Sequence, residues 1–183
     1  MDNLHHRKQL RLKNYNYSQS GYYFVTICTH DRQNLLRNIA GCGSQCPSVL
    51  DLNTAPLANM ELTEIGMQIE NSILNIPSLF ACANIDQYII MPNHLHIIIV
   101  INGKGGHLSD TGGHGNPPLQ DIIGRFKSFT TYEYNKIYKT NGNIIWQRDF
   151  YEHIIRNEYE LQQIREYISN NLAKWLEDEY YGL

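Results

Sequence analysis

Two histidines one residue apart, His94 and His96, open an apolar run of strand character, His94-Leu95-His96-Ile97-Ile98-Ile99. Side chains alternate along a strand, so positions i and i+2 face the same way. The two imidazoles then project side by side, with Leu95 turned to the opposite face. Paired imidazoles are a common way to present two ligands to one cation. A His-x-His triplet also arises by chance, as two surface histidines at a strand start. Tyr167 and Asn171 lie four residues apart in a helical pattern, and residues i and i+4 share a face. A phenol and an amide carbonyl would then point into one space. The amide oxygen could complete a metal site while the phenol oxygen attacks a phosphate. By pattern alone Tyr167 reads as a boundary aromatic and Asn171 as a polar residue near a helix end, because thirteen tyrosines compete for the role.

The elements that must position these residues are legible in outline. Gly21 to Thr29 is an aromatic and β-branched run after a glycine and reads as a first strand. Residues 38–60 read as a loop or insertion, rich in Gly, Ser, Asn and Pro. Glu61 to Ile76 carries Leu62, Ile65, Ile69, Ile73 and Ile76 at helical spacing, and Pro77 stops it. Ile85 to Met91 and His94 to Ile101 read as two strands joined by a Pro92-Asn93 turn. A proline inside one continuous central strand would remove a ladder bond, which favours two strands. Residues 103–118 hold six glycines without periodicity and read as a mobile loop. Leu119, Ile122, Ile123, Phe126, Thr130 and Ile137 mark a second amphipathic helix, Tyr151 to Ile155 a fourth strand, and Glu158 to Leu176 a third helix. The order β-α-β-β-α-β-α predicts an α+β fold. It is a ferredoxin-like or RRM-like βαββαβ plan, with a four-stranded antiparallel sheet and an extra C-terminal helix that carries the tyrosine.

Composition bounds the rest. The 183 residues are 42% hydrophobic and 18% charged, a globular mixture sized for a single domain over residues 1–183. No apolar run reaches the ~18 residues of a membrane span, and the first residues lack a signal-peptide core. The expected compartment is cytoplasmic, where Cys28, Cys42, Cys46 and Cys82 would be thiols. The spacing of Cys42 and Cys46 does not suit a zinc site, which favours an ordinary insertion. The net charge of −3 argues against a generic duplex-coating protein. Its distribution is uneven. Arg7, Lys8, Arg11 and Lys13 face only Asp2 in the first 17 residues. Residues 119–156 hold six basic side chains (Arg125, Lys127, Lys136, Lys139, Arg148, Arg156) against four acidic ones (Asp121, Glu133, Asp149, Glu152). Such segments suit a local phosphate-binding site and equally suit solvated faces.

Three ordered blocks carry a family resemblance. Met91-Pro92-Asn93-His94-Leu95-His96-Ile97-Ile98-Ile99 resembles the signature of the HUH single-tyrosine transposases, and more closely that of the REP-associated tyrosine transposases. Trp146-Gln147-Arg148-Asp149-Phe150-Tyr151-Glu152-His153-Ile154-Ile155-Arg156-Asn157 is similar to a second signature, and Glu166-Tyr167-Ile168-Ser169-Asn170-Asn171 follows at family-like spacing. Tyr22-Tyr23-Phe24-Val25-Thr26 and Phe126-Lys127-Ser128 also fit. The resemblance covers residues 20–37, 84–101 and 119–175. Where the family often reads Asn-Pro-Val, this chain reads Asn171-Leu172-Ala173.

The resemblance implies metal-binding histidines at His94 and His96, an amide ligand at Asn171 and a nucleophile at Tyr167. It implies Mg²⁺ or Mn²⁺, although imidazole alone would equally suit Zn²⁺. The implied reaction is cleavage and strand transfer of single-stranded or hairpin DNA through a 5′-phosphotyrosine. Arg125, Lys127 and Arg148, with the Arg7, Lys8, Arg11 and Lys13 arm, would hold phosphates and give register more than sequence readout. The protein would act as a monomer or homodimer. His153, on the fourth strand, is expected to be structural rather than a proton shuttle. Three rivals stand beside this reading. They are a non-catalytic RRM-like module whose Tyr22-Tyr23-Phe24 strand stacks bases, a metal-dependent hydrolase that uses water, and an inactive domesticated relative.

Overall fold

The aromatic and β-branched run after Gly21 forms β1 (Gly21–Cys28) in a computed structural model that describes residues 19–38, 60–102, 118–172 and 175. The further elements are β2 (Arg37–Asn38), β3 (Glu61–Leu62), α1 (Glu64–Leu74), α2 (Ile76–Leu79), β4 (Ala83–Ile90), β5 (His94–Ile101), α3 (Pro118–Ile137), β6 (Tyr151–Ile155) and α4 (Glu158–Asn171). Four strands form one sheet in the order β4-β5-β1-β6, with every neighbouring pair antiparallel. This is the four-stranded α+β plan that the element order predicts.

The sheet has two covered faces. On one, Tyr23, Val25 and Ile27 of β1 and Leu95, Ile97, Ile99 and Ile101 of β5 pack with Ile65, Ile69 and Ile73 of α1 and Leu119, Ile122, Ile123 and Phe126 of α3. The helical periodicity of those isoleucines is what turns them inward together. On the other face, Phe24 and Ile98 with Ile155 meet Leu161, Ile164 and Ile168 of α4. Alternation along β1 and β5 thus divides each strand between two cores. Each large apolar side chain fully buried there contributes about 1.5–3 kcal/mol.

The first helix starts later than its periodicity predicts. Thr63 caps α1, its side-chain oxygen accepting from the Gly66 backbone N–H at 3.0 Å. Glu61 and Leu62, read above as helix, instead pair with Asn38 and Arg37 in a two-stranded ladder. Residues 39–59 connect the two strands of that ladder in the sequence. The proline does not simply end the helix either. Asn75 closes α1, and Pro77 lies in the first turn of α2, where its missing N–H has no role. The third helix is shorter than its periodicity predicts, because α4 ends at Asn171 with Leu172 as its cap residue. The expected insertion at 38–60 and glycine loop at 103–118 lie largely outside the described residues, as do Cys42 and Cys46.

Candidate active site beneath the C-terminal helix

The turn between β4 and β5 is fixed by its own backbone. The Met91 N–H donates to the His94 carbonyl at 2.8 Å. The Pro92 carbonyl accepts from the Leu36 N–H at 3.0 Å, and the Asn93 carbonyl accepts from both the N–H and the hydroxyl of Thr29. With every carbonyl of the bend used, His94 and His96 leave it in a determined orientation. Both face α4, while Leu95 belongs to the opposite core.

The two imidazoles meet at their Nε2 atoms, 3.1 Å apart. Each is held from behind through Nδ1. His94 Nδ1 lies 2.8 Å from the side-chain oxygen of Asn93, and His96 Nδ1 lies 2.8 Å from the Thr26 hydroxyl. An amide oxygen only accepts, so His94 carries its proton on Nδ1 and presents a lone pair at Nε2. A partner behind a histidine that fixes which nitrogen is bare is the usual support of a metal-ligating imidazole. Thr26 lies directly opposite His96 in the β1–β5 ladder, which is why its hydroxyl arrives there.

Burial keeps both rings neutral. His94 and His96 expose 0% and 2% of their surface. Desolvation pushes the His94 pKa down to about 2, helped by the neighbouring His96 and by the charge of Arg32. The same desolvation pushes His96 down to about 3. A neutral imidazole is the form that binds a cation.

The α4 helix brings the phenol. Tyr167 Oη lies 3.2 Å from His96 Nε2, and the two rings meet edge to face with centroids 5.2 Å apart. Tyr167 is 44% exposed, so its hydroxyl sits at the boundary between the buried pair and solvent. Phe24 stacks on His96 and meets Tyr167 edge-on. Trp175 lies 5.9 Å from His94, ring to ring. Asn171 falls between Tyr167 and Trp175 at spacings of four, flanked by the residues that reach His96 and His94. It is 3% exposed, and its amide nitrogen has no hydrogen-bond partner among the described residues. Two buried imidazoles and a buried amide are a donor set suited to a divalent cation. Among the described residues no group of three His, Cys, Asp or Glu is placed to hold a metal ion; Asn171 is the buried amide on the same helix as Tyr167.

The helix is anchored at both ends of its span. Asn157 caps it, accepting from the Glu160 N–H at 2.8 Å. The Glu160 carboxylate accepts from the Arg156 N–H at 2.8 Å and pairs with His153 at 2.6 Å. Those two contacts, the backbone N–H first, hold the Glu160 carboxyl below its usual range. His153 is therefore a tie between β6 and α4. A β-bulge between Ile85 and Gln87 turns two successive β4 residues toward the helix. Asp86 takes Arg165 in a two-pronged pair at 2.6 and 2.9 Å, and the Gln87 amide donates to Ser169 at 2.8 Å.

The basic residues divide. Arg125 and Arg148 are exposed, and Arg125 lies over the Phe80 ring, 5.7 Å from its centroid. Lys127 is not a free surface charge. Its ammonium donates to the backbone carbonyls of Gln147 and Arg148 at 2.5 and 2.9 Å, and burial lowers its pKa. It fixes the loop before β6. Arg7, Lys8, Arg11 and Lys13 lie outside the described residues.

Sequence reasoning missed Thr26, Asn93, Phe24, Trp175 and the Asp86–Arg165 pair. Asn93 adjoins His94 and was visible as turn chemistry only. Thr26 needed the strand register, and Asp86 needed the bulge.

No family model matches the chain. An uncharacterised protein of Haemophilus influenzae is 35% identical over 196 aligned residues, covering 97% of this chain and 94% of its own length. The solved structure of a REP-associated tyrosine transposase bound to a REP hairpin superposes with a TM-score of 0.57 at 19% identity, over 90% of this chain and 73% of that one. The chain belongs to one family with the Haemophilus influenzae protein, and it has the fold of a REP-associated tyrosine transposase.

Proposed function

We propose that this protein cuts and rejoins single-stranded DNA through a covalent bond to Tyr167. The observation that carries the reading is the 3.2 Å approach of the Tyr167 hydroxyl to the paired, neutral His94–His96 imidazoles. A half-exposed phenol set against a buried, neutral histidine pair is an arrangement suited to chemistry at the phenol oxygen. The fold shared with a transposase that was solved on a REP hairpin supports DNA as the substrate class.

His94, His96 and Asn171 would hold a Mg²⁺ or Mn²⁺ ion. When bound, the ion would polarise the scissile phosphate and offset the charge that develops on it. The chain's own residues do the rest. Asn93 and Thr26 fix the imidazoles with Nε2 forward. Phe24 and Trp175 exclude water from the pair. The α4 helix holds the Tyr167 oxygen at the edge of the site, in reach of a phosphate arriving from solvent. In the reaction Oη bonds to phosphorus and the bond to the 3′ oxygen breaks. The phenol proton leaves Oη, and the released 3′ oxygen gains one. A second 3′-OH reverses the exchange, so the strands rejoin without an external energy source. Free tyrosine has a pKa near ~10, so the phenol needs this environment to be activated. Exposed Arg125 and Arg148 would meet backbone phosphates.

The test is an SDS-stable adduct. Hairpin oligonucleotides with single-stranded flanks and Mg²⁺ should yield a covalent protein–DNA band with wild type and none with Tyr167→Phe. A free 5′-phosphate product without adduct would point to water as the nucleophile. Binding without cleavage would leave a recognition module.

A further inference from the structure

Tyr151 stands in the same row of the sheet as the site. Across the four strands the ladders align Ile89, His96, Thr26 and Tyr151. Directly opposed residues share a face, and the Thr26 hydroxyl that meets His96 fixes which face this is. The Tyr151 ring therefore stands on the side of α4, two strand spacings from His96, about 10 Å. Its strand, β6, is an edge of the sheet, and Tyr151 is 45% exposed. The helix does not claim it. From its tie to β6 at His153, α4 runs toward β4, where Asp86 and Gln87 hold Arg165 and Ser169. The loop before Tyr151 is held by hydrogen bonds. Trp146 Nε1 donates to Thr130, the Gln147 N–H donates to the Cys28 carbonyl, and Lys127 closes on Gln147 and Arg148. An exposed aromatic ring thus stands on the face that carries His96, and exposed Arg148 lies three residues before it in the chain.

We propose that Tyr151 is a stacking platform for one unpaired base next to the phosphate that Tyr167 attacks. This rests on the reading of Tyr167 as a nucleophile for single-stranded DNA. A base has an apolar π-face whatever its identity, so such a contact orders the strand without reading its sequence. The span from His96 to Tyr151 is of the order of one to two extended nucleotides. Exposed Arg148, three residues earlier in the chain, would take a phosphate of the same strand. The strand then approaches the site over the β6 edge at Tyr151.

The experiment separates this contact from the chemistry. In Tyr167→Phe protein without divalent cation, 2-aminopurine is scanned one position at a time along the single-stranded flank of a hairpin oligonucleotide. One position should be quenched on binding. Adding Tyr151→Phe should preserve the quench. Adding Tyr151→Ala or Tyr151→Leu should abolish it and weaken Kd about 5- to 100-fold, the range expected for one stacked base. With Tyr167 intact, Tyr151→Ala should raise KM for the oligonucleotide while kcat at saturation stays within about twofold. Unchanged quench and Kd in both folded variants, or no quenched position in the parent, overturns the proposal. Loss of quench in Tyr151→Ala with no adduct in wild type would uphold stacking and remove the strand-transfer reading. An adduct in wild type with Tyr151→Ala indistinguishable from it would do the reverse.

Discussion

His94 and His96 are two bases kept from acting as bases. Their folded pKa values, about 2 and about 3, lie far below the ordinary 6.5 because burial penalises the charged form. Below pH 6.5 the unfolded chain binds protons that the folded chain refuses, so stability is full above that value and falls as the pH falls toward the folded values. The slope is about 1.4 kcal/mol per pH unit for each histidine. Melting temperature should therefore drop from pH 7 to pH 5, and His94→Gln/His96→Gln should drop distinctly less. An equal drop in both proteins would mean that other groups carry the acid sensitivity. A second prediction concerns the residues behind the rings. Thr26→Val and Asn93→Ala each remove the partner of an Nδ1, so the imidazole loses its preferred tautomer and orientation. Mn²⁺ affinity, followed by electron paramagnetic resonance titration, should fall about 10- to 100-fold in either variant. Affinity equal to wild type would show that the two partners serve folding alone.

At the scale of elements, the question is what sets the helix over the sheet. The Asp86–Arg165 pair is partly exposed, at 15% and 30% of the two side chains. Partly exposed pairs contribute little to stability, about 1 kcal/mol or less. Their geometric effect is larger, because a displacement of about 1 Å at a reacting group can cost about 100-fold in rate. Arg165→Met should then slow adduct formation about 10- to 100-fold while shifting the melting point by only a few degrees. A rate equal to wild type would show that Gln87 and the apolar stripe suffice to place Tyr167. On the other face, α1 passes so close to the segment before β2 that a Cβ on Gly66 would sit 2.2 Å from the Leu36 carbonyl oxygen. Gly66→Ala gains about 1 kcal/mol of helix propensity. The backbone clash outweighs it, so the net effect should be a loss of about 1–3 kcal/mol in denaturant unfolding. A stabilised variant would mean that α1 can slide away at no expense.

Across the whole molecule, Trp175 joins the chain's C-terminal part to the site. Its ring is 1% exposed and packs with Met60 and Met91 beside His94. One side chain thus links α4, the start of the two-residue ladder and the β4–β5 turn. Trp175→Ala should cost about 3–5 kcal/mol in unfolding free energy. It should also open the histidine pair to solvent, read as faster exchange of the imidazole ring protons by NMR. Full stability in this variant would show that the cluster is peripheral.

Periodicity and local turn chemistry together outlined the architecture. Isoleucines at spacings of three and four marked α1 and α4, and alternation about His94-Leu95-His96 divided β5 between two cores. Local turn chemistry placed the bend at Pro92-Asn93. Such signals are legible because they depend on neighbours in the chain. The failures share the opposite cause. Glu61 and Leu62 fit a helical stripe, yet pairing with Arg37 and Asn38 and the Thr63 cap drew them into a strand. Lys127 looked like a surface cation until its carbonyl partners, twenty residues on, were in place. Thirteen tyrosines were equivalent in the sequence, and only resemblance to a known family singled out Tyr167. What the tertiary structure adds is a contact, since the packing of α4 against β4 brings that hydroxyl, 71 residues from His96 in the chain, to 3.2 Å from its ring. No local rule encodes a contact of that span. It exists because two apolar faces closed on each other and a bulge at Asp86 set their register.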